Sequence, residues 1–199
     1  MSVWLVAPVK PLDESKSRLA ACLAQTERAA LTRTLLERTL LLARASRCFE
    51  ALLVVSRDDA VLNVAAAAGA LTLHEAGSDL NLALEQGCAQ AWQQGADAAL
   101  ILPTDLPLLT AADIAMLVAR HTAHGIVLSP SQDGGTNALL LPLPAPLPFC
   151  FGVDSFARHR QAALAAGLDV AVYTSPTLAF DLDRPEDLAL LRAGATPGG

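Results

Sequence analysis

"LILPTDLPLLT", Leu100–Thr110, runs from an apolar segment straight into an aspartate held between Pro103 and Pro107. Proline fixes its own φ at about −65°, so two of them preset the direction of Asp105. A buried strand that ends on a stiffly held carboxylate fits an open α/β sheet, in which ligands bind at the carboxyl ends of the strands. The alternative use, a turn-former or a cap for the next helix, has a better-placed candidate in Thr110.

Outward from that segment the same grammar repeats. "VWLVAPV", "ALLVV", "LTLH", "ALILP", "GIVLS", "NALLLPL" and "DVAVY" read as strands. Between them lie helical patterns. "TERAALTRTLLERTLLLARA" has apolar residues at three and four spacing after a Thr26 cap, and "SRDDAVLNVAAAAGA" runs from Ser56 to a stop at Gly69. "TAADIAMLVARH" carries Thr110 with Asp113 three residues on, a capping box with Asp in place of Glu, and "SFARHRQAALAAGL" stops at Gly167. Continuous apolar strands alternating with helices predict a mainly parallel sheet covered on both faces. The fold class is α/β: a single-domain, three-layer α/β/α sandwich with a Rossmann-like sheet over residues 1–191, followed by a flexible tail, 192–199. The loops to read for function are those after Val6, Val55, His74, Leu102, Ser129 and Leu141. "LPLPAPLP", Leu141–Pro148, reads as a stiff extended connector.

Composition narrows the function classes. The 199 residues suit one core, and no apolar run approaches the roughly 20 residues that cross a bilayer. The N-terminus lacks a secretion-signal pattern, so a cytoplasmic protein is expected. Cys22, Cys48, Cys88 and Cys150 form no C-x-x-C pair and are read as core thiols. A net charge of −6 disfavours a nucleic-acid-binding surface.

Against that acidic background the basic loop "APVKPLDESKSRLA" stands out: Lys10, Lys16 and Arg18 suit a polyphosphate, or else form a solvated turn. With no glycine, the loop is neither a P-loop nor a dinucleotide fingerprint. Asp105 suits Mg²⁺, which takes one or two carboxylates and completes its shell with water and phosphate. In "AFDLDRPEDL", Asp181 and Asp183 share one face of an extended segment. One can coordinate while the other caps the following helix, and Asp181 is preferred as the ligand because Asp183 has the cap as an alternative use. "SQDGGTNALLL" sets Thr136 and Asn137 behind an Asp-Gly-Gly turn, able to grip a small phosphorylated acid or to serve simply as a hairpin. "FGVDSFARHRQ" puts Gly152 and Ser155 at a helix start whose amides favour an anion. His159 by itself says little about acid–base chemistry. No G-x-S-x-G or H-E-x-x-H is present.

Taken in order, "PVKPLDESKSRLA", "LPTDLPLLT", "GGTNALLL", "FGVDSFARH" and "DLDRPEDL" resemble the 2-phospho-L-lactate/phosphoenolpyruvate guanylyltransferases of coenzyme F-420 biosynthesis, a family of MobA-like nucleotidyltransferases with a glycosyltransferase-A-type fold. The resemblance covers almost the whole chain. It implies that Pro8, Lys10, Lys16 and Arg18, with Leu80 and Asn81 of "SDLNLALEQG", hold GTP. It further implies Mg²⁺ on Asp105 and Asp181, with Asp183 as the other carboxylate, and an acid-binding role for Thr136, Asn137, Gly152 and Ser155. Lys10, Lys16, Arg18 and Asp105 would be the catalytic set. The implied reaction joins GMP to 2-phospho-L-lactate, phosphoenolpyruvate or 3-phosphoglycerate, releases pyrophosphate, and hands an unstable product to the next pathway transferase. A homodimer is compatible with it. The glycine-rich first loop of better-known relatives of this fold is replaced here by "APVKPLDESKSRLA". A molybdopterin or sugar-phosphate nucleotidyltransferase and a non-catalytic nucleotide-binding protein are the competing readings.

Overall fold

The computed structural model describes residues 1–194. Seven strands alternate with helices: β1 Val3–Pro8, α1 Gln25–Ser46, β2 Ala51–Ser56, α2 Asp59–Ala67, β3 Leu71–His74, α3 Leu80–Gln93, β4 Ala98–Ile101, α4 Ala111–Val118, β5 Gly125–Pro130, β6 Thr136–Pro142, α5 Ser155–Ala165, β7 Asp169–Val172, α6 Pro176–Ala179 and α7 Pro185–Arg192. All seven strands lie where the apolar runs predict. One sheet holds them in the order β3-β2-β1-β4-β6-β5-β7.

Every pairing is parallel except those of β6, which runs antiparallel to both β4 and β5. The reason is the five-residue connection Ser131–Gly135, far shorter than the dozen or so residues that a parallel crossover needs. Thr136 and Asn137, at the start of β6, therefore lie at the sheet edge where the parallel strands end. Leu141 lies at the opposite edge, so the loop after it does not belong to the ligand side.

Successive residues of the central strands point to opposite faces, which splits the core in two. Val3, Leu5, Leu52, Val54 and Leu100 meet α1, α2 and α4 through Leu36, Leu40, Val61, Ile114 and Leu117. Trp4, Val6, Leu53, Ile101 and Leu139 meet α3 and α5 through Leu84, Cys88, Ala91 and Ala163. On that second face α3 lies close to the sheet: a Cβ on Gly87 would fall 2.9 Å from both Val6 and Val55 methyls. A smaller cluster joins the two ends of the chain, with Leu19, Leu23 and Leu35 packed on Leu182 and Leu188.

Several local expectations change. The α1 cap is Ala24, whose N–H donates to Glu27 (2.7 Å), rather than Thr26; α2 is capped by Asp58, not Ser56. The Thr110–Asp113 capping box of α4 forms as its sequence indicates, at 3.0 and 3.1 Å. The α7 N-cap is Arg184: Asp187 accepts the N–H groups of Asp183 and Arg184, which frees the Asp183 carboxylate from capping. Cys88 alone of the four cysteines is buried and Cys22 is exposed, so the core-thiol reading holds for one of them. The tail boundary expected after 191 falls within α7, and residues 195–199 of that expected tail lie outside the described residues. No helix among the described residues is long and apolar enough to cross a membrane.

Candidate active site

Asp105 follows β4 in a loop pinned by the buried side chains of Leu102, Leu106 and Leu109. Arg38 of α1 donates to the Leu109 carbonyl (2.8 Å) and tightens the same loop from beneath. The Asp105 carbonyl accepts the N–H of Leu182 at 2.9 Å, which brings the 181–183 segment alongside although it lies late in the chain.

The loop after β1 supplies the cation. Ser15 donates to the Leu12 carbonyl (2.9 Å), Thr32 of α1 donates to Ser15 (2.8 Å), and Leu12 N–H donates to Asp58 (2.8 Å). Lys16 adopts a left-handed backbone (φ 52°), a conformation that costs a non-glycine residue about 1 kcal/mol. That cost is offset where the neighbouring Leu19 is buried against Leu182 and Leu188. The result is that Lys16 Nζ reaches both Asp105 Oδ2 and Asp183 Oδ1, at 3.1 Å each. Burial works against the Lys16 charge, and the two carboxylates outweigh it, so the ammonium is held above its ordinary range. Arg18, largely exposed, lies 3.5 Å from Asp183.

Two adjoining cavities open around Asp105. One, of about 270 Å³, is lined by Lys10, Lys16, Arg57, Glu75, Ser78 and Asp183. Arg57 bridges Glu14 and Glu75 across its rim. The other, of about 190 Å³, is lined by Asp133, Thr136, Asn137, Gly152, Ser155 and Asp181. Pro8, Leu80, Pro103 and Asp105 border both. Asp181 is pushed up to about 6, first by burial and then by the Asp105 and Asp183 charges.

The second cavity is a hydroxyl surface. Thr136 Oγ1 lies 3.1 Å from Ser155 Oγ and 3.1 Å from His159 Nδ1, and all three side chains are buried. Gly152 has φ 127°, a value that excludes most side chains, and a Cβ there would meet open space. Asn137 donates to the Leu178 carbonyl (3.0 Å), so its amide also fastens α6. Asn81, at the start of α3, pairs its whole amide with the backbone of Phe151, at 2.8 and 3.3 Å, and lines neither cavity.

Of the residues singled out in the sequence, Lys10, Lys16, Asp105 and Asp183 meet in the first cavity and Thr136, Asn137, Gly152, Ser155 and Asp181 in the second. Arg57, Glu75 and Asp133 join them unforeseen. For His159 a signal existed, since four residues on from Ser155 it shares that helix face.

Whether these residues suit Mg²⁺ can be judged from their charges. Among the described residues no three His, Cys, Asp or Glu side chains stand together as a metal cage. Mg²⁺ asks for less, one or two carboxylates beside phosphate oxygens. Asp181 is raised first by burial and then by the Asp105 and Asp183 charges, and a divalent ion at this point would relieve that repulsion. Asp105 and Asp181, on one cavity wall, fit a divalent ion completed by substrate.

Comparison with known proteins accords with this arrangement. The family model described as "Guanylyl transferase CofC like" matches residues 3–194. A phosphoenolpyruvate guanylyltransferase of Rubrobacter xylanophilus is 48% identical, over 97% of this chain and 95% of that protein. A 2-phospho-L-lactate guanylyltransferase of Methanothermobacter thermautotrophicus is 35% identical, over 94% and 83%. Among solved structures, a putative nucleotide-diphospho-sugar transferase from Desulfovibrio desulfuricans superposes with a TM-score of 0.81 at 18% identity, covering all of this chain and 90% of that one, a likeness of fold. With a family match spanning nearly the whole chain, and relatives whose named chemistry suits a cation-lined cavity beside a hydroxyl-lined one, this protein belongs to the CofC-like guanylyl transferases.

Proposed function

We propose that the protein transfers GMP from GTP to a small phosphorylated three-carbon acid, with phosphoenolpyruvate the leading acceptor. The observation that carries this reading is the pair of cavities meeting at Asp105, one lined by Lys10 and Lys16 and the other by Thr136, Gly152 and Ser155. The preference among acids rests on the greater identity to the relative named for phosphoenolpyruvate.

In this reading the triphosphate occupies the first cavity, against Lys10 and Lys16, with Pro8 and Leu80 flanking the nucleoside and Arg18, outside the lining beside Asp183, reaching the phosphates from the solvent side. The acid occupies the second, and Asn81 supports it indirectly by fixing the Phe151 backbone. An oxygen of the acid's phosphate attacks the α-phosphorus; the bond from that phosphorus to the bridging oxygen breaks, and pyrophosphate leaves. Mg²⁺ on Asp105 and Asp181 would neutralise charge on the phosphates. Lys16, pinned between Asp105 and Asp183, needs little reorganisation to face the charge that develops on the leaving group, which is where such preorganisation is worth most. Holding both reactants about one carboxylate supplies the proximity. The enzyme works in the cytoplasm and passes its product to the following transferase.

The test is pyrophosphate release with GTP and Mg²⁺ against phosphoenolpyruvate, 2-phospho-L-lactate and 3-phosphoglycerate. Release that needs one of these acids is the expected result. Folded protein that stays silent with all three would overturn the reading.

A further inference from the structure

His159 has no exposed surface and sits one turn into α5, behind the hydroxyl wall of the second cavity. Its Nε2 lies 2.9 Å from the backbone N of Cys150. A backbone N–H only donates, so Nε2 must be the bare nitrogen of the ring. Burial, and after it the Arg158 charge, pushes the imidazole down to about 4, so the ring is neutral at physiological pH. Its single proton is therefore on Nδ1, directed at Thr136 Oγ1.

A proton count then fixes what the cavity offers. His159 Nδ1, Thr136 and Ser155 hold one polar hydrogen each, three in all. The two contacts among them, His159 to Thr136 and Ser155 with Thr136, use two. One hydroxyl hydrogen is left over for whatever enters the cavity. With the opposite tautomer His159 would accept from Thr136, both hydroxyl hydrogens would be engaged, and the wall would offer lone pairs, which repel an anion. Phe151 packs edge-on against the ring (centroids 4.7 Å apart) and, fastened by Asn81, holds it in this orientation.

We infer that His159 is a positioning residue: clamped by the Cys150 N–H, it donates to Thr136 and thereby turns the Thr136–Ser155 hydroxyl pair into a hydrogen-bond donor for an anionic oxygen of the phosphorylated acid. The inference rests on the acceptor site proposed above. His159 does not touch substrate and moves no proton in the reaction; it sets the polarity of the groups that do.

Two measurements test it. In ring-nitrogen NMR of the wild-type protein, His159 is expected as the Nδ1–H tautomer and unprotonated down to about pH 5. An Nε2–H tautomer, or titration near the ordinary histidine value, overturns the inference, and does so even if the acid panel is silent, so the two failures are told apart. In kinetics, His159→Phe keeps ring shape without either nitrogen and is expected to raise the KM for the acid about tenfold, with the KM for GTP within twofold of wild type. His159→Gln, with an oxygen for Cys150 N–H and an NH₂ for Thr136, recovers most of that loss. In a Thr136→Val background, His159→Phe should add nothing. Equal changes in both KM values, or effects that simply multiply, would overturn the positioning role.

Discussion

The two cavities that meet at Asp105 solve binding in opposite ways. The first is built on formal charge, with Lys16 set between Asp105 and Asp183 and with Arg57 between Glu14 and Glu75. The second sets neutral hydroxyls, directed by a buried, uncharged imidazole, beside the carboxylates of Asp133 and Asp181. A triphosphate brings several charges and rewards neutralisation, whereas a three-carbon acid must be told apart from near-identical acids, a task in which placed hydrogen bonds discriminate more sharply than charge.

The most severe way to break this contrast is at the shared residue. Asp105→Ala should lower turnover about a thousandfold, the scale for losing a preorganised charge partner. Thermal melting should fall only modestly, because the buried Lys16 ammonium loses one partner but keeps Asp183, and the contact with Leu182 is made by the Asp105 backbone. Leu182→Ala attacks the support instead: this fully buried side chain bridges the Lys16 loop and α7, and its truncation should cost about 3 kcal/mol of stability in denaturant melts, with activity falling as the seat of the Lys16 loop loosens. Thr136→Val separates the cavities. The acid KM should rise about tenfold while the GTP KM holds, since a hydrogen-bond partner vanishes from one cavity alone. If both KM values rise together, the division between the two cavities is wrong.

The last test concerns Asp181 in metal-free protein. Its folded carboxyl keeps its proton to about pH 6, whereas the unfolded one releases it near 3.8, so between those values the folded state binds more protons and stability falls as pH rises. Urea melts of wild type against Asp181→Asn should show the wild type losing ground through that window and none above it. An Asp181 that titrates near 4 would leave the difference flat, and would remove the repulsion on which the Mg²⁺ assignment leans.

How much of this was legible depends on sequence distance. The seven strands could be read because each is a short apolar run between helical patterns, and Asp105 because two prolines flag it. The direction of β6 was also encoded, in the brevity of Ser131–Gly135, where the hairpin reading and the ligand reading of that turn compete without excluding each other and the hairpin is the one the sheet displays. Asp183 looked like a cap because it precedes Pro185, but Asp187 took over the backbone N–H groups, a choice that only local geometry fixes. The pairing of Lys16 with carboxylates 89 and 167 residues away leaves no trace in spacing. Nor does the tautomer of His159, which depends on a single backbone N–H.

That 167-residue separation also bears on how the protein is made. Lys16 leaves the ribosome 167 residues ahead of Asp183, and the leucine cluster that seats the Lys16 loop needs Leu182 and Leu188 from the same later stretch. Until those residues emerge, the nascent chain can assemble most of its sheet but has no finished place to grip a triphosphate. A translation product broken off before Asp181 thus lacks both the Asp183 partner of Lys16 and the leucines that seat its loop.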